Sequence, residues 1–147
     1  MFKAVVGCSD EIDTSDAITE VIGSCDENLG GETPSAGLVF CGTEFEHKLV
    51  LKKILDHYPG LQLIGCTTDG EMTSCGGYTE DAITLTLFCA DKIEIAAGYG
   101  EAASRDPGGA ASTAVAMATR SLSQTPRLAF VLPDGLTTSA YEVLDGF

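Results

Sequence analysis

Apolar residues fall along this chain in two rhythms, and the change of rhythm marks out its elements. Near-continuous apolar runs at residues 3–8, Ala36 to Phe40 and Leu61 to Ile64 read as short strands buried on both faces. Between them the spacing turns helical. Ala17, Ile18, Val21 and Ile22 line one face of a segment from Thr14 to about Leu29, with Asp13 or Thr14 placed to cap it and the polar run Asn28 to Ser35 ending it. Leu49, Val50, Ile54 and Leu55 form a second stripe from about Glu46 to Tyr58, stopped by Pro59-Gly60. Three buried strands joined by two helices predict an opening parallel βαβαβ unit.

Farther on the rhythm becomes alternation. Ile83-Thr84-Leu85-Thr86-Leu87 and Ile93-Glu94-Ile95, linked by Ala90-Asp91-Lys92, predict an antiparallel hairpin with one wetter face. Asp106 is a suitable cap and Pro107 a suitable first residue for a small-residue helix reaching about Leu122. Arg127 to Leu132 reads as another buried strand, and a last helix opens near Thr137 or Thr138. The expected fold class is α/β, three-layer, with a mixed sheet. No internal repeat, low-complexity tract or long linker divides the chain, so one domain over residues 1–147 is expected. A helix near the C-terminus with no strand after it suggests a domain truncated at that end.

Composition narrows the function classes. With 22 acidic against 8 basic residues the formal charge is −14, which repels phosphate backbones and anionic lipids; neither nucleic acid nor membrane insertion is expected. Lys48, Lys52 and Lys53 recur at helical spacing and read as a solvated helix face. No stretch approaches the roughly 20 apolar residues of a membrane helix, and the N-terminus lacks the apolar core of a secretory signal. A cytoplasmic location follows as the expectation. The six cysteines form no Cys-x-x-Cys and lie mostly in or beside apolar segments, so free buried thiols are expected rather than a disulfide framework.

The candidate chemistry gathers where the strands end. Gly65-Cys66-Thr67-Thr68-Asp69-Gly70-Glu71 follows the third strand, and Cys8-Ser9-Asp10 and Cys41-Gly42-Thr43-Glu44 follow the first two. Open sheets of this kind bind ligands at the carboxyl ends of their parallel strands. Thr67 and Thr68 offer hydroxyls, Asp69 and Glu71 suit an ammonium group, and Gly65 and Gly70 would let backbone N–H groups approach a carboxylate. The set of Cys66, Thr67, Thr68, Glu71, Gly65 and Gly70, with Thr43 and Ser9 from neighbouring turns, suits a small zwitterion. The plainer alternative is tight turns whose threonines bond their own backbone.

Three other chemistries are weaker. A cysteine-dependent hydrolase or transferase would use Cys66 as nucleophile, activated by His47 or His57. A zinc site would gather Cys8, Cys41, Cys66, Asp69 and His47, without paired short spacing to support it. Phosphate binding would rest on Arg105 and the helix start at Asp106, with no phosphate-loop lysine. No catalytic residue, metal or cofactor is expected.

The turn carries a resemblance. Gly65-Cys66-Thr67-Thr68-Asp69-Gly70-Glu71, followed by Gly76-Gly77, Glu80-Asp81 and the apolar run Ala82 to Phe88, resembles the signature of the N-terminal region of the FIST domain. Gly98-Tyr99-Gly100 before the Asp106-Pro107 helix, and Leu132-Pro133-Asp134-Gly135-Leu136 later on, are further matches. The resemblance implies an intracellular sensory domain of signal transduction that binds a small polar metabolite, such as an amino acid, and communicates with downstream signalling domains or proteins. A non-catalytic protein-interaction module is the other reading.

Overall fold

In the computed structural model, which describes residues 1–147, the first apolar run forms strand β1 (Phe2–Ser9), followed by helix α1 (Thr14–Leu29). Asp13 caps that helix, its Oδ1 accepting from the amides of Ser15 at 2.8 Å and Asp16 at 3.1 Å. These bonds satisfy two of the four free N–H groups at a helix start. Gly30 ends it in the left-handed conformation, φ 63°, which costs a residue without Cβ least. Strand β2 (Ala36–Gly42), helix α2 (His47–His57) and strand β3 (Gln62–Thr68) complete the opening unit. A small antiparallel hairpin of β4 (Glu71–Thr73) and β5 (Gly77–Thr79) then leads into β6 (Ile83–Ala90).

The sheet order is β1-β6-β2-β3. β2 and β3 are parallel, whereas β6 lies antiparallel to both β1 and β2 and separates them. The expected α/β class with a mixed sheet is what forms, and β1, β2 and β3 point the same way. Three local expectations change. β1 pairs with β6 instead of joining a contiguous parallel set. Because both edges of β6 are occupied, it has none left for residues 93–95, so the hairpin expected there does not form. The third strand runs on through Thr68, so most of the presumed turn is strand.

One face of the sheet presents Val5, Ile83, Leu85, Leu87, Val39 and Cys41 to α1 and α2. There they pack with Ile18, Val21 and Cys25 of α1 and Val50 and Ile54 of α2. Each fully buried aliphatic side chain in such a core contributes ~1.5–3 kcal/mol. The opposite face carries Val6, Leu38, Phe40, Thr86 and Phe88, all only half-buried.

Residues 1–93 form one compact unit and residues 94–147 a second. In the second, Asp106 accepts from the Gly109 amide at 2.9 Å and caps helix α3 (Pro107–Thr119), with the proline in its first turn. Ala110 and Ala111 are buried, as is Val143 of helix α4 (Ala140–Leu144). A Cβ on Gly100 would stand 1.9 Å from the Ala110 carbonyl oxygen, so only glycine lets that segment lie against α3. The strand expected at Arg127 to Leu132 is not formed. That segment has no strand beside it, and Leu128 and Phe130 are 74% and 65% exposed.

Candidate functional site

The register of the sheet decides which strand-end residues meet. Ser9, Ile83, Cys41 and Thr67 occupy one cross-strand row, and Cys8, Thr84, Phe40 and Cys66 the next. Cys41 and Thr67 are therefore immediate neighbours, as are Gly42 and Thr68. Ser9 ends at the same edge of the sheet but two strands from Cys41, roughly 10 Å at the usual strand spacing. Its hydroxyl is already engaged, donating to Glu20 Oε2 at 2.5 Å and accepting from the Glu11 amide at 3.2 Å. Thr43 is exposed and reaches only the neighbouring Glu44, at 3.4 Å.

Around the end of β3 the groups differ in how far they face solvent. Cys66 and Thr67 are exposed, on opposite faces because successive strand residues alternate. Thr68 is half-buried and its hydroxyl donates to Glu71 Oε1. Glu71 is only 4% exposed, and its other oxygen, Oε2, is buried with no hydrogen-bond partner. Packing accounts for both glycines: a Cβ on Gly65 would fall 1.9 Å from the Val39 carbonyl oxygen, and one on Gly70 would meet the Tyr78 hydroxyl at 2.7 Å.

Leaving a carboxylate oxygen buried and unpaired is costly, and no side chain hydrogen-bonds Oε2 to offset it. No lysine or arginine lies between Lys53 and Lys92. The surroundings are acidic instead. Burial, with the Glu71 charge adding, pushes the Cys41 thiol up to about 11. Glu80, which also accepts from the Tyr78 hydroxyl at 3.4 Å, holds that phenol above its ordinary range, and Glu71 and Asp69 add to the effect. Thr84 also has a buried hydroxyl without a partner and is 5% exposed. Neither Thr84 nor Tyr78 stood out in the sequence. The only signal for Thr84 is a hydroxyl in the alternating Ile83-Thr84-Leu85 pattern, and burial is what makes it matter.

The cysteines divide. Cys25, Cys41, Cys66 and Cys89 are free, and Cys8 is bonded to Cys75. The expectation of six free thiols is therefore corrected for one pair. The hairpin brings Cys75 back to β1 across 67 residues of sequence, a closure that spacing alone does not reveal. Cys66 has no activating base: desolvation raises its pKa, His47 Nε2 sits 3.2 Å from the Gly42 carbonyl oxygen, and His57 Nε2 is 2.8 Å from Asp26. No three His, Cys, Asp or Glu side chains are grouped to hold a metal ion.

Two open grooves flank α1 and α2 near Asp26 and His57, with volumes of about 310 and 510 Å³, and neither includes a strand-end residue. No helix is long and apolar enough to cross a membrane. Among known proteins, no curated sequence and no solved structure matches the chain. The family model of the FIST N domain does match, over residues 35–147. That span takes in β2, β3, the hairpin and β6, and with them the whole Gly65 to Glu71 segment. The chain belongs to the FIST N family, a family of sensory domains in signal transduction.

Proposed function

We propose that this domain senses a small polar metabolite carrying an ammonium group, an amino acid or a close relative, bound where β2 and β3 end. The observation that carries this reading is Glu71: a buried carboxylate with one oxygen held by Thr68, the other unpartnered, and no lysine or arginine between Lys53 and Lys92. A ligand ammonium supplies the missing charge and hydrogen bond once the β4–β5 hairpin that carries Glu71 shifts to admit it. Thr68 positions the carboxylate, and Cys66, exposed on the same face of β3 as Thr68, is open to the rest of the ligand, while Thr67 points to the other face. In this reading the domain works in the cytoplasm and passes the bound state to downstream signalling domains or proteins.

Calorimetric titration of an amino-acid panel tests the reading. One or more compounds should bind, and Glu71→Gln should weaken that binding by about tenfold to a hundredfold, the usual worth of a charge-assisted hydrogen bond. Equal affinity in the variant, or no binding by any member of the panel, overturns it.

A further inference from the structure

We propose that Cys8 and Cys75 form a reversible thiol–disulfide latch that fastens the β4–β5 hairpin as a strap across the strand-end edge of the sheet. The hairpin leaves β3 at one edge of the four-stranded sheet, and its tip is bonded to β1 at the other. It therefore spans the ends of β2 and β6, beside Glu71 and Thr68. The two Cα atoms are 6.6 Å apart, within the range a disulfide bridges.

Little else holds the strap. Its strands have three residues each, and two-stranded hairpins are marginal on their own. Met72 and Tyr78 are 84% and 62% exposed; only Glu71, at the root, is buried. The tip is tied down by Cys75. Below it, the core of Ile18, Val21, Ile54, Ile83, Leu85 and Leu87 is fully buried without help from the bond. The bond thus governs the hairpin and not the sheet. Cys75 is exposed and Cys8 half-buried, so an external reagent reaches Cys75 first.

The oxidant is a low-molecular-weight disulfide of the glutathione type. The Cys75 thiolate attacks one of its sulfurs, forming a mixed disulfide and releasing one thiol. The Cys8 thiolate then attacks the Cys75 sulfur, forming the Cys8–Cys75 bond and releasing the second thiol. Two thiol protons leave the protein and two electrons reduce the external disulfide. Excess external thiol runs both steps backwards.

Thiol counting and hydrogen exchange in oxidised and reduced glutathione buffers test the latch. Reagent-accessible thiols should rise from one, Cys66, to at least two on reduction, with exposed Cys75 freed first and half-buried Cys8 reacting more slowly, while amide exchange over residues 70–80 quickens by at least about tenfold and that over 83–89 stays unchanged. Cys75→Ser and Cys8→Ser should exchange quickly in either buffer. Equal exchange in the two buffers overturns the latch, as does a bond that excess thiol leaves intact. Loss of protection across β6 on reduction also overturns it, since the bond would then be structural. None of these readings involves a metabolite, so the latch and the ligand assignment fail separately.

Discussion

The Thr68 hydroxyl donates to Glu71 Oε1 while Glu71 Oε2 has no partner at all. The pair is half satisfied: one hydrogen bond partly offsets the burial of a carboxylate, and the rest of the cost stands. Removing the hydroxyl by Thr68→Ala strips the remaining partner from that carboxylate. Stability should fall by about 1–3 kcal/mol, the usual cost of orphaning a buried acceptor. Glu71→Gln removes the charge and keeps an acceptor for Thr68, so it should melt no lower than the parent. Urea unfolding of the two variants checks this; a Gln variant less stable than the Ala variant would contradict it.

At the other end of α1, Asp26 clasps α2 with both oxygens. Oδ1 accepts from the Tyr58 hydroxyl at 2.8 Å and Oδ2 lies 2.8 Å from His57 Nε2. Tyr58 is buried and His57 exposed, so the two contacts are unequal. Asp26→Ala should cost about 1–3 kcal/mol by leaving the phenol unpartnered. His57→Ala should cost under about 1 kcal/mol, as the loss of a solvent-exposed polar contact does. Denaturation of both single variants reads the difference directly, and comparable losses would show that the clasp does not depend on burial.

Two glycines on facing elements should respond to alanine in opposite ways. A Cβ on Gly7 would stand 2.4 Å from the Val21 carbonyl oxygen of α1, whereas one on Gly23, in the middle of α1, meets nothing within 4 Å. Gly7→Ala pushes β1 away from the helix and should cost about 1–3 kcal/mol. Gly23→Ala removes backbone freedom from the unfolded chain and should add about 0.4–1 kcal/mol. Thermal melts that moved both variants the same way would refute the assignment of Gly7 to close packing.

What could be read in the sequence was local. Asp13, the stripe of Ala17, Ile18, Val21 and Ile22, and the polar run from Asn28 are signals within one helix, and α1 spans Thr14–Leu29 as those signals predict. The pairing of β6 between β1 and β2 was not legible, because Ile83, Leu85 and Leu87 alternate identically whichever strands they join. The candidate site shows the same limit. Residue types around Glu71 were visible, but the burial that leaves Oε2 alone arises from a hairpin folding back on the sheet. The Cys8–Cys75 contact depends on that same fold-back, and their separation in sequence carries no hint of it.

Alkaline pH should unfold the sheet unit through its buried thiols. Burial, with the Asp26 charge adding, pushes Cys25 from its ordinary 9.0 up to about 11, and burial with the Glu71 charge does the same for Cys41. Below pH 9 both thiols keep their protons in either state and add no slope. Between pH 9 and about 11 the unfolded chain releases protons that the folded chain retains, so the free energy of unfolding falls as pH rises. Each thiol contributes a loss of up to about 1.4 kcal/mol per pH unit in that window. Tyr58, held above its ordinary range by burial and then by Asp26, acts in the same direction. Urea midpoints measured from pH 8 to 11 should therefore fall steeply above pH 9 in the parent and less steeply in Cys25→Ala, whatever that variant's stability at neutral pH. An unchanged slope in Cys25→Ala would mean that its thiol is not the group losing the proton.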